Sequence, residues 1–142
     1  MTADMVISQA AAEATLNALT ALIDVGGTGT VKVFTGSAPS NCGVADSGTL
    51  LMTFTMPATT FGAAGATGVA DAIATANAIT AVTAVATNTA GYFRAYNHAG
   101  TCVLQGVIGT SSADFVISST TITSGNSYGI TSWTITMPAN GT

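Results

Sequence analysis

Charge is what this chain has least of. Across 142 residues there are two basic side chains, Lys32 and Arg94, six acidic ones and a single histidine, giving a net charge of −4 and a pI near 4.2. A folded protein of 13.9 kDa exposes roughly 6,700 Å². An average composition would spread about 35 charges over this length. Two cations cannot neutralise the several phosphates that nucleic-acid binding requires, so that class of partner is excluded. Long apolar runs are also missing: no stretch approaches 18 consecutive apolar residues, and no Lys/Arg-flanked interfacial segment occurs, so no membrane partner is expected. The first nine residues lack a basic start and an unbroken apolar core, which argues against a secretory signal and for cytoplasmic synthesis.

Chemistry-bearing residues are equally thin. His98 is the one histidine and sits beside Gly100 in an expected turn, where a Ser-His-Asp relay cannot be built. No Gly-x-Ser-x-Gly run is present. Glu13 and Asp24 fall on one side of a helix but about 16 Å apart, too far for a glycosidase pair. Asp46, Asp71 and Asp114 lie in expected loops, where an isolated aspartate usually closes a local turn. Two cysteines sixty positions apart and one histidine make no zinc pattern, and no loop has alternating oxygen ligands for calcium. The glycines at 26, 27 and 29 follow a helix and precede a strand, the reverse of a phosphate loop. No catalytic, cofactor-binding or metal-ligating set emerges, and the chain reads as not an enzyme. Cys42 and Cys102 read as two free, largely buried thiols, since cysteine behaves as a small apolar residue.

What the chain does have is small neutral residues: Thr, Ala, Gly and Ser fill 79 of the 142 positions. A surface made of them has little self-repulsion, and burying it against neighbours strips few ions of water. Such a surface suits a subunit of a dense assembly.

The pattern predicts one domain over 1–142: an arm over 1–9, a helix over 9–23 and strands over 30–138. Ser8 is placed to cap the helix, and Leu16, Leu19 and Ile23, with Leu22 beside them, form its apolar stripe. Gly26 and Gly27 end it in a left-handed turn. Strands are expected at 30–35, with Val31 and Val33 opposite Lys32 and Phe34, and at 49–56, with Leu50, Met52, Phe54 and Met56 on one side until Pro57 stops the ladder. Residues 92–97 and 101–108 flank a hairpin turn at His98, Ala99 and Gly100. Two short edges follow at 114–118 and 120–123. A last strand aligns Trp133, Ile135 and Met137 before Pro138. Residues 62–89 read as two strands, or as a strand and a loop, around Ile73, Ile79, Val82 and Val85. Arg94, between Tyr92 and Tyr96 on one strand face, is expected in a structural salt bridge or in exposed stacking. The fold class is mainly β: a jelly-roll-like or related antiparallel β-sandwich with one N-terminal α-helix.

The order of these segments resembles the capsid cement (decoration) proteins of tailed bacteriophages. The matching stretches are the helix at 10–19, the run Val31-Lys32-Val33-Phe34-Thr35-Gly36-Ser37-Ala38-Pro39, Phe61-Gly62-Ala63-Ala64, Ala76-Asn77-Ala78-Ile79, Tyr92-Phe93-Arg94-Ala95, and the closing segments at 109–114 and 131–137. The resemblance implies a structural protein of the virion that binds the major capsid protein on the outer shell surface as dimers or trimers of itself, and it brings no catalytic residues. The small apolar cluster Met5, Val6 and Ile7 is the candidate capsid interface, and exposed strand edges are a second route to the shell. A tail, collar or fibre-base subunit is the nearest alternative. A carbohydrate-binding sandwich is another, using Tyr92, Tyr96, Tyr128 and Trp133, although their strand neighbours predict that these rings are buried.

Overall fold

The computed structural model describes residues 6–66, 71–113 and 115–138. Helix α1 (Gln9–Ala21) begins where Ser8 Oγ accepts the Ala11 N–H at 3.1 Å, satisfying one of the amides that no helical carbonyl can reach. It tightens into a 3₁₀ turn (Leu22–Asp24) and stops at Gly26 and Gly27, whose φ of 81° and 137° only glycine adopts without strain. The buried face is Ala12, Leu16, Thr20 and then Ile23, while Leu22 points outward.

Among the described residues twelve strands follow: β1 (Thr30–Phe34), β2 (Leu50–Thr55), β3 (Gly65–Ala66), β4 (Ala72–Thr75), β5 (Val82–Thr83), β6 (Asn88–Thr89), β7 (Tyr92–Tyr96), β8 (Cys102–Gly109), β9 (Phe115–Ile117), β10 (Thr121–Ile122), β11 (Ser127–Tyr128) and β12 (Ile130–Met137). Eight of them make one sheet in the order β2-β1-β7-β8-β9-β12-β4-β3, and β10-β6 and β11-β5 form two small ribbons. Among the described residues every strand pairing is antiparallel except that of β8 with β9, which is parallel over Ile108↔Phe115 and Gly109↔Val116. The result is a mainly β, sandwich-like fold with one N-terminal helix, as the pattern predicts.

The sheet folds back on itself around an aromatic centre. Phe93 of β7 stacks on Phe115 of β9 with centroids 4.5 Å apart, and Trp133 of β12 meets both edge-on at 5.6 and 5.3 Å. Phe61 closes the group against Trp133 at 4.6 Å. Each such pair adds about 1 kcal/mol beyond its buried area. Val31, Val33, Met52, Phe54 and Met56 extend this core on one side, and Leu16 and Ile23 seal it from the helix.

The strand ends follow the prolines, with β2 stopping two residues before Pro57 and β12 directly before Pro138. A bulge between Val33 and Phe34 shifts the β1–β2 register, so Leu51 and Met52 are both buried where strict alternation allows one. Residues 62–89 hold four short strands. Their core positions are Ala72, Ala74 and Ala84, while Ile73 is only half-buried and Val85 is exposed. The helix lies directly on β4, and at that close approach the methyl groups of Ala72 and Ala74 take the buried positions of that strand.

Candidate functional site: a loop clamped across the sheet

Strand β7 is buried on both faces. Phe93 and Ala95 face the core opposite Val33 and Val31 of β1. By alternation Tyr92, Arg94 and Tyr96 take the other face, and the long β1–β2 loop, residues 35–49, lies over them. The neck of the loop is closed by Thr35 N–H to Thr49 O at 3.1 Å and by Thr49 N–H to Thr35 Oγ1 at 2.9 Å.

Arg94 carries the closure. Its guanidinium is 2 % exposed. Nη1 donates to Asp46 Oδ1 and to Val44 O, both at 2.8 Å, Nη2 donates to Asn41 O at 3.0 Å, and Nε donates to Gln105 Oε1 at 2.9 Å. A rigid fork of donors is well suited to gathering three loop acceptors at once. Gln105, held on β8, uses its own amide to bind Pro39 O. Tyr92 Oη donates to Ser47 O at 2.6 Å and accepts from Ser47 N–H at 3.0 Å, and its ring stacks on Phe34. Tyr96 Oη donates to Asp46 Oδ1. Lys32 is the cross-strand partner of Arg94, and its Nζ stands 4.9 Å from the Tyr96 ring centre. Two like charges placed opposite each other repel. The Asp46 carboxylate, reached by both fields, offsets this. Burial pushes the Asp46 carboxyl up, but the hydrogen bonds from Tyr96 and Arg94 and the charges of Arg94 and Lys32 outweigh it and hold the group below its ordinary 3.8. Burial, followed by the bond to Asp46 and its negative charge, pushes the Tyr96 phenol well above its ordinary 10.0.

The second fastening is covalent. Cys42 of the loop and Cys102 at the start of β8 form a disulfide, with Cα atoms 5.4 Å apart. The expectation of two free thiols is therefore wrong. The loop folds back over β7 and β8 and brings together positions sixty apart, which spacing alone cannot reveal. The expectation for Asp46 is also corrected. It closes no local turn and instead binds side chains 48 and 50 positions away.

The other residues singled out above are placed as follows. Arg94 is in a buried salt bridge, one of its two expected roles. His98 is exposed in the β7–β8 turn, with Nδ1 3.3 Å from Thr28 O, and Gly100 completes that turn at φ 84°. Asp24 lies at the helix end and accepts Thr60 Oγ1–H at 2.6 Å and Thr60 N–H at 3.1 Å, tying the segment after β2 to the helix. Asn17 Oδ1 accepts Ala64 N–H at 2.8 Å in the same way. The four aromatic residues considered for sugar stacking are buried, between 1 and 7 % exposed. Val6 is exposed and Ile7 packs on the core. Met5 and Asp114 lie outside the described residues.

A shallow hollow of about 440 Å³ opens between the clamped loop and the β7–β8 hairpin, lined by Cys42, Val44, Asp46, Arg94, Tyr96 and Cys102. The carboxylate at its base is already engaged by two donors, so the arrangement holds a loop rather than offering a general base. No protein-family model matches the chain, and searches of curated proteins and of solved structures find no match.

Proposed function

We propose that the protein is a non-enzymatic structural subunit of a virion, a cement protein on the outer capsid surface of a tailed bacteriophage. The observation that carries this reading is where its few charges go. Of eight ionisable Asp, Glu, Lys and Arg side chains on 142 residues, Arg94, Asp46 and Asp24 are used to fasten loops to the sheet and the helix. The remaining surface, much of the 6,922 Å² total, is largely neutral. Such a surface packs against a protein lattice at little desolvation cost. Its loops are fixed in advance by Arg94 and by a disulfide, so little ordering entropy is lost on docking. Many copies, each with a modest interface on the major capsid protein, would together resist internal pressure on the shell.

The test is co-sedimentation with expanded capsids of the parent phage that lack the protein. Saturable binding near one copy per capsid subunit, or a simple fraction of it, supports the reading, and bound shells should then withstand more heat. Recovery with tails, at about a dozen copies or fewer, would instead assign it to the tail or collar.

A further inference from the structure

The loop over 35–49 is gripped on both sides of Cys42 by contacts that do not involve sulfur. Arg94 Nη2 donates to Asn41 O at 3.0 Å and Nη1 donates to Val44 O at 2.8 Å, one residue before the cysteine and two after it. Between these grips the chain makes a tight turn. Gly43 N–H donates to Asn41 Oδ1 at 2.8 Å and Val44 N–H donates to Asn41 O at 3.2 Å, the local bonding that asparagine favours in turns. Farther out, Gln105 holds Pro39 O, Tyr96 holds the Asp46 carboxylate and Tyr92 holds Ser47.

Cys102 is fixed just as independently. It pairs with Tyr96 across the β7–β8 ladder. The hairpin before it is closed by Asn97 N–H to Thr101 O and by Thr101 N–H to Asn97 Oδ1, both at 3.0 Å. Non-covalent contacts thus hold both cysteine backbones, at a Cα separation of 5.4 Å that lies inside the range a disulfide spans. Both cysteines are half-buried and line the open hollow of about 440 Å³, so a small reactant reaches them without the chain opening.

We propose that the Cys42–Cys102 bridge is a reversible latch on an already folded protein, with Arg94 as the residue that positions the two thiols. The chain folds in the reduced state, the guanidinium seats the turn around Cys42 beside Cys102, and a small disulfide such as oxidised glutathione closes the latch through the hollow. One cysteine, as thiolate, attacks the glutathione disulfide, forms a mixed disulfide and releases one glutathione. The other, after giving its proton to water, attacks the protein sulfur of that mixed disulfide and releases the second glutathione. Two protein thiols are oxidised and one glutathione disulfide is reduced to two thiols; excess glutathione runs the sequence backwards. The clamp and the bridge order the same segment, so by linkage each favours the other. A chain made where thiols stay reduced is therefore complete in fold but unlatched, and it locks on reaching an oxidising medium. The latch does not depend on what the protein assembles with.

The test uses the full chain, reduced and then returned to glutathione buffers of graded ratio, with free thiols trapped by a maleimide and counted by mass. The reduced protein should keep the far-UV circular dichroism and the Trp133 emission of the oxidised one. Its closure should be first order in glutathione disulfide and indifferent to urea below the onset of unfolding. Arg94→Met should lower the equilibrium constant for closure by about tenfold or more, with Arg94→Lys between it and the parent. Should the Met variant fail to fold when reduced, the Lys variant decides. A reduced parent that is unfolded would overturn the latch. So would closure that accelerates with urea in step with unfolding, which would mean that the bridge forms only in an opened chain. An equilibrium constant in the Lys variant equal to that of the parent would remove Arg94 from the role.

Discussion

Replacing Arg94 by Met keeps most of the side-chain volume and removes every donor of the clamp. Four hydrogen bonds are lost, to Asp46, Val44, Asn41 and Gln105. Charge-assisted bonds contribute about 1.5–3 kcal/mol each, so their plain sum would exceed the stability of many domains. The net cost is smaller for two reasons. Asp46 is 37 % exposed and can recover water, and the loop carbonyls lie at the surface. Loss of one partner from a buried pair costs about 3–5 kcal/mol, and that is the expected range here. For a chain of this length the melting temperature should fall by roughly 10–15 °C. Arg94→Lys keeps the charge, but an ammonium cannot reach loop acceptors and Gln105 together; about half the loss should remain. Urea unfolding followed by Trp133 emission and far-UV circular dichroism, with the disulfide kept oxidised, measures both variants. A Met variant within 1 kcal/mol of the parent, or a Lys variant equal to it, would refute the assignment of Arg94 as the anchor of the loop.

Three further outcomes follow from the same geometry. The native protein should show no titratable thiol, and reduction or a Cys42→Ser, Cys102→Ser double variant should cost about 4 kcal/mol, the chain-entropy value for a loop of this size; thiol counting and urea unfolding check both. Stability should fall at both ends of the pH scale. Asp46, held below 3.8 in the folded state, stabilises above that value and loses its effect as acid protonates it. Tyr96, raised above 10.0, stabilises below that value and loses its effect as the unfolded phenol ionises. In Phe variants of Tyr96 the alkaline limb should flatten. Gly91→Ala should destabilise by about 3 kcal/mol, because the added methyl would lie 1.9 Å from Gly36 O and 2.6 Å from Gly36 N, backbone atoms that cannot swing aside; thermal melting reads this directly.

Local signals in the sequence were dependable. Ser8, the glycines after the helix, Pro57, Pro138 and the turn at Gly100 each act through neighbours a few residues away, and each stands where the pattern put it. Apolar alternation likewise placed Val31 and Val33 in the core. The failures share a cause. Cys42 with Cys102, and Asp46 with Arg94 and Tyr96, are partnerships across 48 to 60 positions made by one loop folding over a strand, and no local pattern encodes them. The alternation Tyr92, Arg94, Tyr96 did mark a face that needed covering. It did not say by what. Residues 62–89 were obscure because their fully buried side chains are alanines, too small to mark a core face by hydrophobicity.

The sheet order also governs when this protein can fold. β1 is complete at residue 34, but its partner β7 begins at Tyr92, and β4, on which the helix rests, pairs with β12 only after residue 134. A ribosome adding about 5–20 residues per second therefore holds the first two-thirds of the chain for several seconds with open strand edges and almost no charge to keep neighbouring chains apart. The crosslink from Cys42 must wait for Cys102, so oxidation records that the β7–β8 hairpin has arrived. Cooler, slower expression and dilute refolding should thus improve the yield of soluble protein more than any change to its finished surface.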